Sequence, residues 1–163
     1  MEQDENRTPS HGSTWLVFEI GTTDYAIEVE RVRTIIGLLP ITRVPQLPES
    51  VRGAINLRGQ VVPIVDLRIR FGLEAVDYGS RTCIVVLQAA GSEFGVIVDR
   101  VIDVAHIAGD AVEPPPQFGA ELDTEYLLGV ARHGERVRLL LDMDRALSRT
   151  ELAALTSTGA SSA

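Results

Sequence analysis

The sequence predicts a mainly β protein of two small antiparallel barrels, related by a pseudo-twofold axis and followed by a short C-terminal helix. Three observations predict it. The apolar segments are short, several alternate with polar residues, and they are separated by turn signals at hairpin spacing. The chain also repeats itself. A shift of 69 residues lays Tyr25-Ala-Ile-Glu-Val-Glu-Arg-Val32 on Phe94-Gly-Val-Ile-Val-Asp-Arg-Val101. A shift of 76 lays Gly53 on Gly129, Val61 on Val137 and Ile64-Val-Asp-Leu67 on Leu140-Leu-Asp-Met143. Finally, a sustained helical period occurs only near the end of the chain.

Residues 1–13 carry no apolar period and read as a disordered tail, as do residues 157–163. The domain therefore spans 14–156, with approximate halves 14–78 and 79–156. Trp15–Ile20 is a bulky apolar run, and Gly21-Thr-Thr-Asp24 supplies a turn. Tyr25–Glu30 then places Tyr25, Ile27 and Val29 on one face, which completes a hairpin. Further strands are expected at Ala54–Arg58, Val61–Val65, Thr82–Gln88, Phe94–Val98, Gly129–Arg132 and Val137–Leu141. Asp66–Gly72 reads as a short helical turn stopped by glycine. Asp142–Leu155 reads as a helix, with Met143, Ala146, Leu147, Ala154 and Leu155 on one face. Asp66 and Asp142 are expected as N-caps, since a carboxylate can accept the free amides of a first turn. Short strands joined by hairpins favour barrels, which leave few open edges. A single duplication near 70 residues makes a pseudo-dimer within one chain, with a groove where the halves meet.

Composition removes several function classes. The chain of 163 residues has net charge −8, and all fifteen of its Lys+Arg cations are arginines. Without lysine there is no Schiff-base, P-loop or lysine general-base chemistry. The acidic balance and the 5% aromatic content speak against a nucleic-acid-binding barrel, which needs a basic face and stacking platforms. Cys83 is the single cysteine, so internal disulfides and multi-cysteine zinc sites are excluded; its apolar strand makes it a buried structural thiol. His11, His106 and His133 have no ligand partners at helical spacing, and no nucleophile elbow or phosphate loop is present. No run reaches the 18–20 apolar residues of a membrane helix, and the polar N-terminus is no signal peptide, so a soluble, cytoplasmic protein is expected.

Charge is unevenly placed. Residues 51–73 hold Arg52, Arg58, Arg68 and Arg70 against Asp66 alone, whereas 110–126 hold only acids. The acidic stretch reads as a solvated loop. Arg58 stands at a hairpin tip, Asn56-Leu-Arg-Gly59, where Gly59 can take a positive φ. There it either presents its five donors to a partner's carboxylate or carbonyl, or is an ordinary surface arginine.

These residues resemble a known family. Asn56-Leu-Arg-Gly-Gln-Val-Val-Pro-Ile-Val-Asp-Leu-Arg68 is similar to the signature of the CheW family of bacterial chemotaxis adaptors. Val51–Ile55, Phe94–Val101 and Glu125–Gly129 add to the likeness, which runs from about Trp15 to Leu155. The resemblance implies two five-stranded SH3-like barrels and a non-enzymatic bridge without cofactor or metal. Its partners would be the cytoplasmic tip of methyl-accepting chemoreceptors and the regulatory domain of the CheA histidine kinase. The chain would be cytoplasmic, recruited to membrane-associated receptor arrays without inserting into the membrane. Its length resembles the stand-alone adaptor, not the same domain within the kinase or fused to a receiver. Receptor contact would fall on Asn56, Leu57, Arg58 and Gly59, with Gly53 and Cys83 lining the neighbourhood; kinase contact would fall on first-barrel residues Leu16, Val29 and Val32. Many members carry glutamate where this chain has Thr34, which leaves Arg58 either free or held by another acid such as Glu30. An adaptor of a pilus or developmental array is the alternative within the same class.

Overall fold

The expected hairpins form, but each barrel draws on both halves of the chain. The computed structural model describes residues 13–115 and 126–160. In chain order its elements are β1 (Ser13–Ile20), β2 (Thr23–Glu28), β3 (Val32–Gly37), β4 (Val51–Leu57), β5 (Gln60–Asp66) and α1 (Leu67–Arg70). Then come β6 (Cys83–Ala89), β7 (Ser92–Val98), β8 (Arg100–Ile107), β9 (Val112–Glu113), β10 (Leu127–His133), β11 (Arg136–Leu141) and α2 (Arg149–Ala160). His11 and most of the acidic stretch lie outside the described residues.

One barrel has strand order β8-β1-β2-β11-β10-β9 and the other β3-β6-β7-β5-β4. The first hairpin of each half thus sits in the barrel built by the other half's remaining strands. The halves 14–78 and 79–156 are therefore units of repetition and not barrels. This exchange also corrects the all-antiparallel expectation, because β11 runs parallel to β2 and β5 parallel to β7. The two parallel ladders are equivalent under the repeat: Leu140 pairs with Ala26 and Ile64 with Gly95. The first barrel counts six strands because β9 adds a two-residue pairing; in the second, a lone bridge between Thr42 and Ala54 takes that place.

The repeated acid-Arg-Val triplet marks where the chain changes barrels. Val29–Arg31 is a 3-10 turn and not the end of a strand, and it leads into β3. In the other half Asp99 precedes β8, where its carboxylate accepts the Gly21 amide at 2.7 Å while Arg100 pairs with Glu19 at 2.8 Å. β3 and β8 are absent from the sequence expectation. Both end their sheets and are half exposed, so their apolar alternation is weak.

Strand alternation divides the core. Trp15, Val17, Ala26, Ala131 and Leu140 fill one barrel, and Ile55, Val62, Ile64, Ile84 and Val86 fill the other. The opposite faces of the same strands, Leu16, Phe18 and Ile20 with Val85, Leu87 and Ala89, meet in a core that both barrels share. Each fully buried side chain of this kind contributes roughly 1.5–3 kcal/mol. The shared core is why the two barrels form one body.

The C-terminal helix starts later than expected. Residues 142–148 form turns, and α2 begins at Arg149 and continues through residues 157–160, expected as tail. Asp142 still accepts an amide, that of Asp144 at 3.1 Å, as Asp66 accepts that of Arg68 at 2.9 Å at the start of α1. The α2 cap is Ser148: its hydroxyl accepts the Glu151 amide at 3.2 Å, and Glu151 accepts the Ser148 amide at 2.8 Å. That reciprocal pair is a capping box. Its S-x-x-E signature is readable in the sequence and outranks the earlier aspartate.

Candidate functional site

The β4–β5 hairpin closes with Leu57 opposite Gln60, which leaves Arg58 and Gly59 as a two-residue loop. Their φ angles are +55° and +85°, so both are left-handed, as a type I′ turn requires. Arginine is a poor choice at such a position, because its β-carbon crowds the backbone. The Asn56 side-chain oxygen accepts the Gly59 amide at 2.8 Å and braces the turn. Asn56, Arg58 and Gly59 are exposed and Leu57 is half-buried.

Of the four arginines in the basic stretch, Arg58 is the one left open. Arg68 pairs with Asp99 at 2.7 Å and also donates to the Glu74 carbonyl. Arg70 pairs with the buried Glu151 at 3.0 Å, and Arg52 donates to the Glu49 carbonyl. Arg58 makes no side-chain hydrogen bond or ion pair among the described residues, so neither Glu30 nor Thr34 holds it. The apparent island therefore resolves into internal ties and one exposed cation.

Val61 stands opposite Asn56 in the β4–β5 register, and the sequence reading passed over it. It is 40% exposed, because the alternation that sends Val62 and Ile64 into the barrel turns it outward. An exposed aliphatic side chain thus stands beside Asn56 on the same hairpin that carries Arg58.

The other expected receptor-side residues are not at the tip. Gly53 lies buried near the root of β4, where its backbone meets Thr42. Cys83 begins β6, opposite Val98, whereas the Gln60 end of the hairpin lies beside the Ala89–Ser92 end of the β6–β7 pair. Six residues of strand, roughly 20 Å, separate the two levels. Cys83 is half-buried, and burial raises its thiol pKa.

The three residues expected on the kinase side do not all lie in one barrel. Leu16, on β1, is only 1% exposed and belongs to the shared core. Val29 lies in the crossover turn and Val32 opens β3 in the other barrel; both are half-buried against that core. The three residues cluster at the crossover between the barrels, with Val29 and Val32 reaching the surface.

Below the tip, Asp66 accepts the Tyr78 hydroxyl at 2.9 Å. Burial, followed by the negative charge of Asp66, pushes the Tyr78 pKa up to about 12, so this phenol remains a donor. No group of three or more His, Cys, Asp or Glu side chains suited to a metal occurs among the described residues. Among the described residues, no helix is long and apolar enough to cross a membrane.

Residues 14–151 match the CheW-like domain family. The chain is 37% identical over 142 residues to "Chemotaxis protein CheW" of Klebsiella aerogenes, covering 87% of this chain and 86% of that protein. It is 32% identical over 136 residues to "Probable chemotaxis protein CheW" of Rhizobium etli, covering 83% and 88%. Among solved structures, the scaffolding protein TtCheW from Thermoanaerobacter tengcongensis superposes with a TM-score of 0.78 at 27% identity. That superposition covers 86% of this chain and 95% of the other, so the two-barrel fold is shared almost end to end.

Proposed function

The chain belongs to the CheW family of chemotaxis scaffold proteins, and from that premise we propose that it bridges the cytoplasmic tip of methyl-accepting chemoreceptors to the regulatory domain of a CheA histidine kinase. It performs no reaction of its own and works by geometry, holding two partners in fixed relation. The observation that carries this reading is Arg58: exposed, unpaired and held left-handed at a braced hairpin tip. A guanidinium so placed offers several donors from a stiff support, which suits a carboxylate or carbonyl on a receptor tip. Leu57 and Val61 supply apolar surface beside it. Gly53 acts from the root of the hairpin, and Cys83 belongs to the scaffold. On the kinase side Val29 and Val32 make the contact, and Leu16 supports them from beneath.

The test is Arg58→Glu. Reversing this charge is expected to weaken binding of a soluble receptor cytoplasmic fragment by about 10-fold or more, while CheA binding stays within about twofold. Equal loss of both partners, or no loss of either, would overturn the assignment.

A further inference from the structure

We infer that Asn56 is a positioning residue, whose contribution to receptor docking passes through the left-handed conformation it imposes on Arg58. The inference rests on the docking reading above and assigns a specific part of that site. Its basis is a comparison within the chain. Under the 76-residue repeat, Arg58 corresponds to Gly134, and both are the first residue of a two-residue hairpin loop. Both have positive φ, +55° and +63°. In one hairpin the strained position is occupied by glycine, which adopts this conformation without steric penalty. In the other it is occupied by arginine, which does not.

The difference extends to the brace. The residue corresponding to Asn56 is Arg132, whose guanidinium is engaged by Glu113 at 2.9 Å. The glycine-bearing loop has no counterpart of the Asn56–Gly59 hydrogen bond among the described residues. A side-chain acceptor two residues before the arginine thus accompanies the arginine-bearing loop; Ala90, the non-glycine at the same position of the β6–β7 loop (φ +51°), is held by Asp144 instead, which accepts its amide at 2.8 Å. An exposed amide would otherwise bond to water, so the bond serves mainly to hold the turn closed. Released from it, Arg58 would relax toward negative φ and its guanidinium would leave the tip axis.

A double-mutant cycle on the full chain with a soluble receptor cytoplasmic fragment tests this. Asn56→Ala is expected to weaken binding about fivefold in the native background and less than about twofold on top of Arg58→Ala. Amide hydrogen exchange at Gly59 should accelerate severalfold in Asn56→Ala. It should stay near native in Asn56→Asp, which keeps the acceptor. CheA binding should not change. A full Asn56→Ala loss persisting in the Arg58→Ala background would show that Asn56 touches the partner directly, and would overturn the inference. Unchanged Gly59 exchange would overturn it too, as would global unfolding of Asn56→Ala, because the role assigned is confined to the tip. Failure of Arg58→Ala alone to weaken binding would instead remove the docking reading itself.

Discussion

Gly53 and Thr42 approach so closely that a β-carbon on the glycine would lie 2.0 Å from the threonine carbonyl oxygen. The closeness arises because Thr42 bridges the edge of β4, exchanging hydrogen bonds of 2.8 and 3.0 Å with Ala54. Gly53 has φ +136° and sits at a bulge, where its backbone turns out of the chain's way. Gly129 repeats the arrangement, with a β-carbon reaching 2.7 Å from the Glu113 carbonyl.

Gly53→Ala is therefore expected to destabilise the fold by about 3 kcal/mol or more, through clash against immobile backbone plus a strained φ. At this chain length that is a fall in Tm of roughly 6–12 °C. Gly129→Ala should lose less, since its contact is looser and its φ is not left-handed. A Tm for Gly53→Ala within about 2 °C of native would refute the crowding account.

Glu151 is 5% exposed and accepts from the Ser50 hydroxyl and the Ser148 amide, while Arg70 pairs with it. It joins α2 to α1 and to the root of the hairpin, where the Asp66 amide donates to the Ser50 carbonyl at 2.7 Å. Glu151→Ala removes the cap and leaves a mostly buried Arg70 without its carboxylate. The expected loss is about 3–5 kcal/mol, read by thermal or urea unfolding. Glu151→Gln should lose less, and equal stability of Glu151→Ala and native protein would refute the tie.

Glu28 provides a pH test. Its pKa is raised above the ordinary 4.5 by burial, then by the nearby Glu30, with Asp142 and Asp144 adding to the effect. The folded state thus holds this proton more tightly than the unfolded one. The associated stability is present below the unfolded pKa and lost as pH rises through the folded value. Glu28→Gln should accordingly raise Tm by about 1–2 °C at pH 7 and by nothing measurable at pH 4. A gain that is the same at both pH values would contradict it.

Burial holds the Cys83 thiol above its ordinary pKa, so less thiolate is present at a given pH. Iodoacetamide at pH 8 should alkylate native Cys83 at least roughly 10-fold more slowly than an unstructured cysteine peptide. In denaturant the two rates should converge; rapid labelling of the folded chain would place the thiol at an open surface.

Much of this was legible before any coordinates. The hairpins, the repeat, the Asp66 cap and the exposed tip all follow from local rules, because alternation, turn residues and caps act within a few residues of each other. Edge strands β3 and β8 escaped, since a strand exposed along one side carries too weak a pattern to read. The α2 start was misplaced because two capping signals, Asp142 and Ser148, lie six residues apart along the chain. Only the second has a glutamate three residues on to answer it.

The sequence by itself determined the four hairpins, the twofold repeat and the position of Arg58 on an exposed loop. Only the tertiary structure decided which barrel each hairpin enters. A period of two says which side chains share a face, but not which face of which half they meet. That exchange buried Leu16 in a shared core, placed Val29 and Val32 at the crossover and set Cys83 far from the tip. It also bound Arg68 and Arg70 to Asp99 and Glu151, acids 31 and 81 residues away in sequence, and left Arg58 as the open cation.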